Sequence, residues 1–303
     1  MHRLKILSIG LVGLASLLLS SGLPVSAQAE VRLTLTHGGL TREAILYRPT
    51  AHHTPLPTLL VLHGGGGDGR RMQQLTNFNH LADAEGFMVV YPDGVAREWN
   101  DGRIFRPSTV DDVGFISALI DRLVAEYGAD PERIFASGIS NGGLMSYRLA
   151  CDLSGKIRGI AAVAANLARD LHPNCTPRLP IAVLIMNGTA DPLVPYNGGE
   201  IMGGRGVVLS TEETVAFWRA HNQCTDRPEV QALPNRAPLD RTRVYLTAYQ
   251  NCAAKVALYR IEGGGHTWAG GLQHLPAALV GRHSRDIDAS AVIWAFFAAT
   301  QPE

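Results

Sequence analysis

The sequence predicts an α/β protein: a mostly parallel, doubly wound sheet flanked by helices, in a single domain. Three observations lead there. Apolar runs such as 58–62 and 181–186 lack the alternation of half-exposed strands, as strands covered on both faces do. Segments with helical spacing lie between them, so strand and helix alternate along the chain. The 303 residues, 46% hydrophobic and 18% charged, can build one large core, and no repeat, low-complexity tract or interdomain linker interrupts them. The 27 basic and 27 acidic residues balance, which gives no footing for nucleic acid or an anionic membrane surface.

Residues 31–36 alternate apolar with polar, Gly38-Gly39 turns, and 43–47 returns, which predicts an antiparallel hairpin. A loop over 49–57 leads into the buried strand 58–62 and the turn His63-Gly64-Gly65-Gly66-Gly67. One helix is expected from about 70 to 85, then a strand over 87–91. Thr109 with Asp112 three residues on has the form of a capping box, opening a helix through Ile116, Leu119, Leu123 and Tyr127 that Gly128 closes. Strands follow at 133–137, 159–164, 181–186 and 255–261, and helices at 143–150, 211–222 and 286–299. The stretch 225–251 is polar and carries few apolar residues of its own.

The start of the chain is read separately. Arg3 and Lys5, an apolar run over 6–19 and small residues before Ala27 and Ala29 have the pattern of a secretory signal peptide cut after one of those two alanines. The folded domain is then 30–303, exported to periplasm or medium, with no stable membrane anchor. Export suits Cys151, Cys175, Cys224 and Cys252, an even count that suggests two disulfides. Four cysteines allow three connectivities. The two sequence-near pairs, 151 with 175 and 224 with 252, are favoured, the second stapling the polar stretch. No Cys-x-x-Cys or His-Glu-x-x-His spacing points to a metal.

The chemistry centres on Gly138-Ile139-Ser140-Asn141-Gly142. A Gly-x-Ser-x-Gly between a strand and a helix sets the serine on a sharp turn with its hydroxyl in the open. Such a hydroxyl is a poor nucleophile and needs a histidine base. His266 qualifies because it follows the last strand on a glycine-rich turn. Its imidazole must be held in one tautomer by a carboxylate, and Asp191, just past the preceding strand, is best placed. Asp152, Asp170 and Asp226 are the rivals for that role. The chain order Ser140, Asp191, His266 is that of the α/β-hydrolases. Two backbone amides suffice as oxyanion donors: that of Asn141, and one from the 63–67 loop, for which Gly65 is chosen. This chemistry asks for no metal or organic cofactor.

Gly64-x-Gly66-x-x-Gly69 also matches a dinucleotide-binding fingerprint, with Asp93 standing where a ribose-binding acid would. Export away from the cofactor pool weighs against an oxidoreductase, and so do the Asp191 and His266 loops, which that reading leaves without a role.

Leu62-His63-Gly64-Gly65, Tyr91-Pro92-Asp93-Gly94, Trp99-Asn100, the run from Val110 to Phe115, Gly138 to Gly143, Gly188-Thr189-Ala190-Asp191 and Gly263 to Trp268 together resemble the secreted polyhydroxybutyrate depolymerase-like esterases, near the feruloyl and acetyl-xylan esterases of carbohydrate esterase family one. The resemblance runs over nearly the whole mature chain. It implies an α/β-hydrolase with Ser140, Asp191 and His266 as its triad, and it supports the cysteine pairing favoured above. Ala269 departs from it, since proline is usual after the tryptophan.

The resemblance leaves the substrate open between a feruloyl or acetyl ester of plant polysaccharide and a hydroxyalkanoate polymer or oligomer. Depolymerases of solid polyester usually carry a linker and a binding domain that 30–303 does not show, which favours a soluble small-molecule or oligosaccharide ester. Trp99 and Trp268 are candidates for an aromatic wall against the substrate; the alternative is that they pack the loops. Asp111 and Asp112 are read as helix caps. A glycan-binding protein without activity and a secreted peptidase are the readings from other classes.

Overall fold

A computed structural model describes residues 30–49, 55–104, 109–225, 227–273 and 275–300; the signal peptide expected over 1–29 lies outside them. The hairpin forms as β1 (Glu30–His37) and β2 (Leu40–Tyr47). The parallel strands are β3 (Leu56–Leu62), β4 (Met88–Pro92), β5 (Ala129–Ile139), β6 (Gly159–Val163), β7 (Ala182–Gly188) and β12 (Val256–Glu262). A short hairpin, β8 (Gly199–Glu200) and β9 (Val207–Val208), stands apart, and β10 (Glu229–Ala232) with β11 (Arg243–Tyr249) completes the set. Ten strands make one sheet in the order β1-β2-β4-β3-β5-β6-β7-β12-β11-β10. The middle from β4 to β12 is parallel, and both ends are antiparallel.

Seven helices are described: α1 (Gly69–Thr76), α2 (Phe78–Glu85), α3 (Asp112–Tyr127), α4 (Asn141–Asp152), α5 (Thr211–His221), α6 (Ala277–Val280) and α7 (Ala289–Ala298). Successive strand residues point to opposite faces, which splits the core in two. Leu60, Leu62, Ile160 and Ile185 pack beneath α3, α4 and α5 through residues such as Phe115, Met145 and Trp218. Leu59, Val61, Ala161 and Leu184 pack beneath α1, α2 and α7. There Phe135 stacks on Phe297 and Phe87 on Trp294, each large side chain contributing about 1.5–3 kcal/mol by burial.

Three elements differ from expectation. The helix over 70–85 is two helices, because Asn77 takes a left-handed conformation (φ 52°) that asparagine tolerates better than most residues. The Thr109–Asp112 capping box is not used: Asp111 caps α3 by accepting the Gly114 amide, and Asp112 is buried and paired with the buried Arg42 at 2.6 Å. The polar stretch 225–251 carries β10 and β11, which extend the sheet from β12, so backbone pairing supplies what apolar side chains do not. Both disulfides join the sequence-near pairs, Cys151–Cys175 and Cys224–Cys252. Among the described residues no helix is long and apolar enough to cross a membrane.

Candidate active site

β5 ends at Ile139 and α4 starts at Asn141, so Ser140 alone makes the turn. Its backbone sits at φ 57° and ψ −123°, which strains any residue with a Cβ. The surroundings enforce it. The Ser140 amide donates to the Val163 carbonyl and the Ser140 carbonyl accepts the Leu144 amide, both at 2.9 Å. A Cβ on Gly138 would lie 2.5 Å from the carbonyl carbon of Gly142, and one on Gly142 would run into the carbonyl oxygen of Leu62. Glycine is what lets strand, helix and β3 come this close.

The loops after β7 and β12 bring up Asp191 and His266. They are joined by two hydrogen bonds: the Ala190 amide donates to the Gly264 carbonyl at 2.9 Å, and the Gly263 amide to the Thr189 side-chain Oγ1 at 2.9 Å. His266 Nδ1–H donates to Asp191 Oδ2 at 2.7 Å, while Asp191 Oδ1 accepts the amides of Leu193 at 2.7 Å and Val194 at 2.9 Å. With both oxygens engaged, the carboxylate is fixed in rotation. A neutral ring held this way keeps its proton on Nδ1 and its lone pair on Nε2, as a general base requires.

Ser140 and His266 line one cavity of about 650 Å³. Among the described residues no hydrogen bond joins the hydroxyl to the ring. Such bonds often tighten only with substrate in place. Gly65 and Asn141 line the same cavity, and among the described residues neither amide is hydrogen-bonded, whereas Gly66 donates to Arg97 and Gly67 to Gly64. Unpaired donors at a helix N-terminus and on a glycine loop suit a developing negative oxygen.

His63 shapes that loop. It is 1% exposed; Nδ1–H donates to the Gly64 carbonyl at 2.8 Å and Nε2 accepts the Gly94 amide at 2.9 Å. Burial holds it below the ordinary histidine value. Asp93 accepts the Gly69 amide at 2.6 Å, so it fastens the start of α1.

The tryptophans are placed otherwise than an aromatic wall requires. Trp99 is buried behind the glycine loop, its Nε1–H donating to the His63 carbonyl at 2.9 Å and its ring on that of His63, and it does not line the cavity. Trp268 touches the cavity but is 1% exposed, with Nε1–H donating to Ser290 Oγ and its ring in edge-to-face contact with Phe78. Both indole N–H groups need a partner when buried, and each finds it within the protein.

Asp101, Arg103, Ile201 and Arg205 were not singled out by sequence. The side chain of Asn141 accepts the Trp99 amide at 2.8 Å and donates to Asp101 Oδ2 at 2.7 Å, and Arg103 pairs with Asp101 at 2.6 Å. Ile201 and Arg205 reach the cavity from the glycine-rich segment that includes β8 and β9. The run Gly198-Gly199 to Gly203-Gly204 and Gly206 was the available signal.

Known proteins resemble the chain in sequence and in fold. Residues 42–166 match the family model described as esterase PHB depolymerase. Over 249 residues the chain is 34% identical to NocK of Nocardia uniformis subsp. tsuyamanensis, which bears the name of an esterase, covering 76% of this chain and 71% of that protein. It is 29% identical over 221 residues to feruloyl esterase B of Piromyces equi, covering 69% of this chain but only 39% of that longer protein. The acetyl xylan esterase of Aspergillus awamori superposes with a TM-score of 0.58 at 14% identity, covering 78% of this chain and 94% of that one, which speaks for the fold. The chain belongs to the esterase PHB depolymerase family, enzymes of carboxylic-ester hydrolysis on an α/β-hydrolase fold.

Proposed function

We propose that the protein is an exported serine esterase that works through an acyl-enzyme. The observation that carries this is the strained turn at Ser140 sharing a cavity with a His266 ring whose tautomer Asp191 fixes. Ser140 Oγ attacks the ester carbonyl carbon as its proton passes to His266 Nε2. The amides of Asn141 and Gly65 receive the negative oxygen. The C–O bond to the alcohol breaks as His266 returns the proton to the leaving oxygen. Water then attacks the acyl-enzyme, giving its proton to His266, and the acid leaves as Ser140 is reprotonated.

Feruloyl or acetyl esters of plant polysaccharide are the favoured substrates. The names of two relatives support this, as does a cavity whose apolar wall of Met72, Leu75, Leu144 and Val280 meets charged Asp68 and Arg71. Hydroxyalkanoate oligomers are the second reading, favoured by the family description and by Leu272 and Leu275, which are exposed and line the same cavity. Export is supported by the basic and apolar pattern of the first 29 residues and by two disulfides. Initial rates on methyl ferulate, acetylated xylan and a hydroxybutyrate trimer test the assignment. A kcat/KM at least tenfold higher on either of the first two supports it, and preference for the trimer selects the second reading. Hydrolysis of amides but not esters would refute both.

A further inference from the structure

Three buried side chains link the nucleophile turn to the opposite wall of the cavity. Asn141, the residue after Ser140, is 4% exposed, and its carboxamide is pinned by the backbone of Trp99 on both sides: it accepts the Trp99 amide at 2.8 Å and donates to the Trp99 carbonyl at 3.0 Å. The same nitrogen donates to Asp101 Oδ2 at 2.7 Å. Asp101, 2% exposed, takes Arg103 in a forked grip, with Nε at 2.9 and 3.0 Å from its two oxygens and Nη2 at 2.6 Å. Arg103 then spends Nη1 on the backbone carbonyl of Arg205, 102 residues away in sequence, at 2.6 Å.

That carbonyl belongs to the segment joining β8 to β9, whose Ile201 and Arg205 line the cavity with Ser140 and His266. Backbone bonds hold parts of it, the Met202 amide to the Leu193 carbonyl and the Ile201 amide to the Gly206 carbonyl at 2.9 Å each and β9 to residues 167–169, while Arg103 is the side chain that reaches the Arg205 carbonyl. Gly198, Gly199, Gly203, Gly204 and Gly206 all hold positive φ, and its two strands pair over two residues each. Glycines in such number leave a loop many conformations to lose. Its root is tied to the triad acid, since Asp191 holds the amides of Leu193 and Val194, and its far limb is tied by Arg103 together with the backbone bonds of β9 to residues 167–169. Gly206 packs on the aliphatic stem of Arg103, where a Cβ would sit 3.1 Å from Cδ.

We propose that Arg103 is a positioning residue that fixes the β8–β9 wall against the nucleophile turn, so that this wall contacts the larger part of the ester. Asp101 orients the guanidinium, and Asn141 ties the pair to the residue whose amide serves the oxyanion. The inference rests on the esterase reading of the cavity. A planar, forked cation suits the task because it satisfies a carboxylate and a carbonyl at fixed angles at once, which a lysine ammonium does not.

Two variants test it: Arg103→Lys, which keeps the charge opposite Asp101, and Asp101→Asn with Arg103→Gln, which removes both charges together. Active sites are first counted by titration with a small fluorophosphonate, at a temperature where circular dichroism shows each variant folded. Failure of the unmodified protein to react would sink the esterase reading itself. Given reaction, KM for a feruloyl ester is expected to rise about tenfold in both variants, with kcat per titrated site changing less than threefold and KM for a short acetate rising less. A pair that serves stability alone would lower the melting temperature and leave both constants at the values of the unmodified enzyme, which overturns the proposal. If the double variant does not fold, Arg103→Lys decides on the same terms.

Discussion

The ring of His266 and the carboxylate of Asp191 meet at 2.7 Å, and the second oxygen of that carboxylate is already committed to the amides of Leu193 and Val194. The acid is thus held by its own loop and cannot turn away from the ring.

Asp191→Asn follows from that arrangement. The two amides demand an oxygen, so the new NH2 faces His266 Nδ1 and drives the ring proton to Nε2, where it blocks proton transfer from Ser140. The expected result is a fall in kcat of about 10⁴-fold with the fold unchanged. Steady-state kinetics beside circular dichroism checks it, and a loss below about tenfold would mean another group orients the ring.

Gly142→Ala places a methyl against the Leu62 carbonyl, which is backbone in the centre of the sheet. Overpacking of this kind costs about 1–3 kcal/mol or more. The expected outcome is a lower denaturant midpoint at unchanged slope, with reduced activity because the Ser140 turn must shift. A midpoint equal to that of the unmodified protein would show that the close approach is not required.

His63 makes stability depend on pH. Its folded value is lowered, mainly by burial, so the unfolded chain binds the proton more readily. The contribution is fully present above the unfolded histidine value, ~6.5, and is lost as pH falls from there through the lowered folded value. Protonation would also set a second N–H against the Gly94 amide. Unfolding free energy measured between pH 8 and 5 should fall more steeply for the unmodified protein than for His63→Gln; parallel curves would show that His63 does not titrate on unfolding.

Replacing Cys224 and Cys252 with serine frees the chain that carries β10 and β11. The closed loop spans a separation of 28 residues, for which chain entropy gives about 3–4 kcal/mol. Chemical denaturation should register most of that loss, while a change under about 0.5 kcal/mol would mean that strand pairing alone holds the segment.

What could be read from the sequence followed from local rules. The buried strands announced themselves as unbroken apolar runs, and Ser140, Asp191 and His266 each follow a strand of the sheet, where α/β folds gather their chemistry. The break at Asn77 was hidden because the flanking residues favour helix and only the left-handed asparagine interrupts it. β10 and β11 were hidden because their stability comes from strand pairing, β11 with β12 and β10 with β11, which composition does not reveal. The tryptophans misled because an aromatic beside a site looks the same in sequence whether its face or its N–H is used. The Asn141–Asp101–Arg103 chain was out of reach, since it connects residues about 40 and 100 positions apart through side-chain geometry alone.

Catalysis rests on Ser140 as the nucleophile, and the most direct measurement is hydrolysis of a chromogenic acetate ester by Ser140→Ala, normalised to folded protein. The expected rate is at least ~10⁴-fold below that of the unmodified enzyme, with the circular dichroism spectrum unchanged. A variant that folds and keeps its full rate would contradict that role of Ser140.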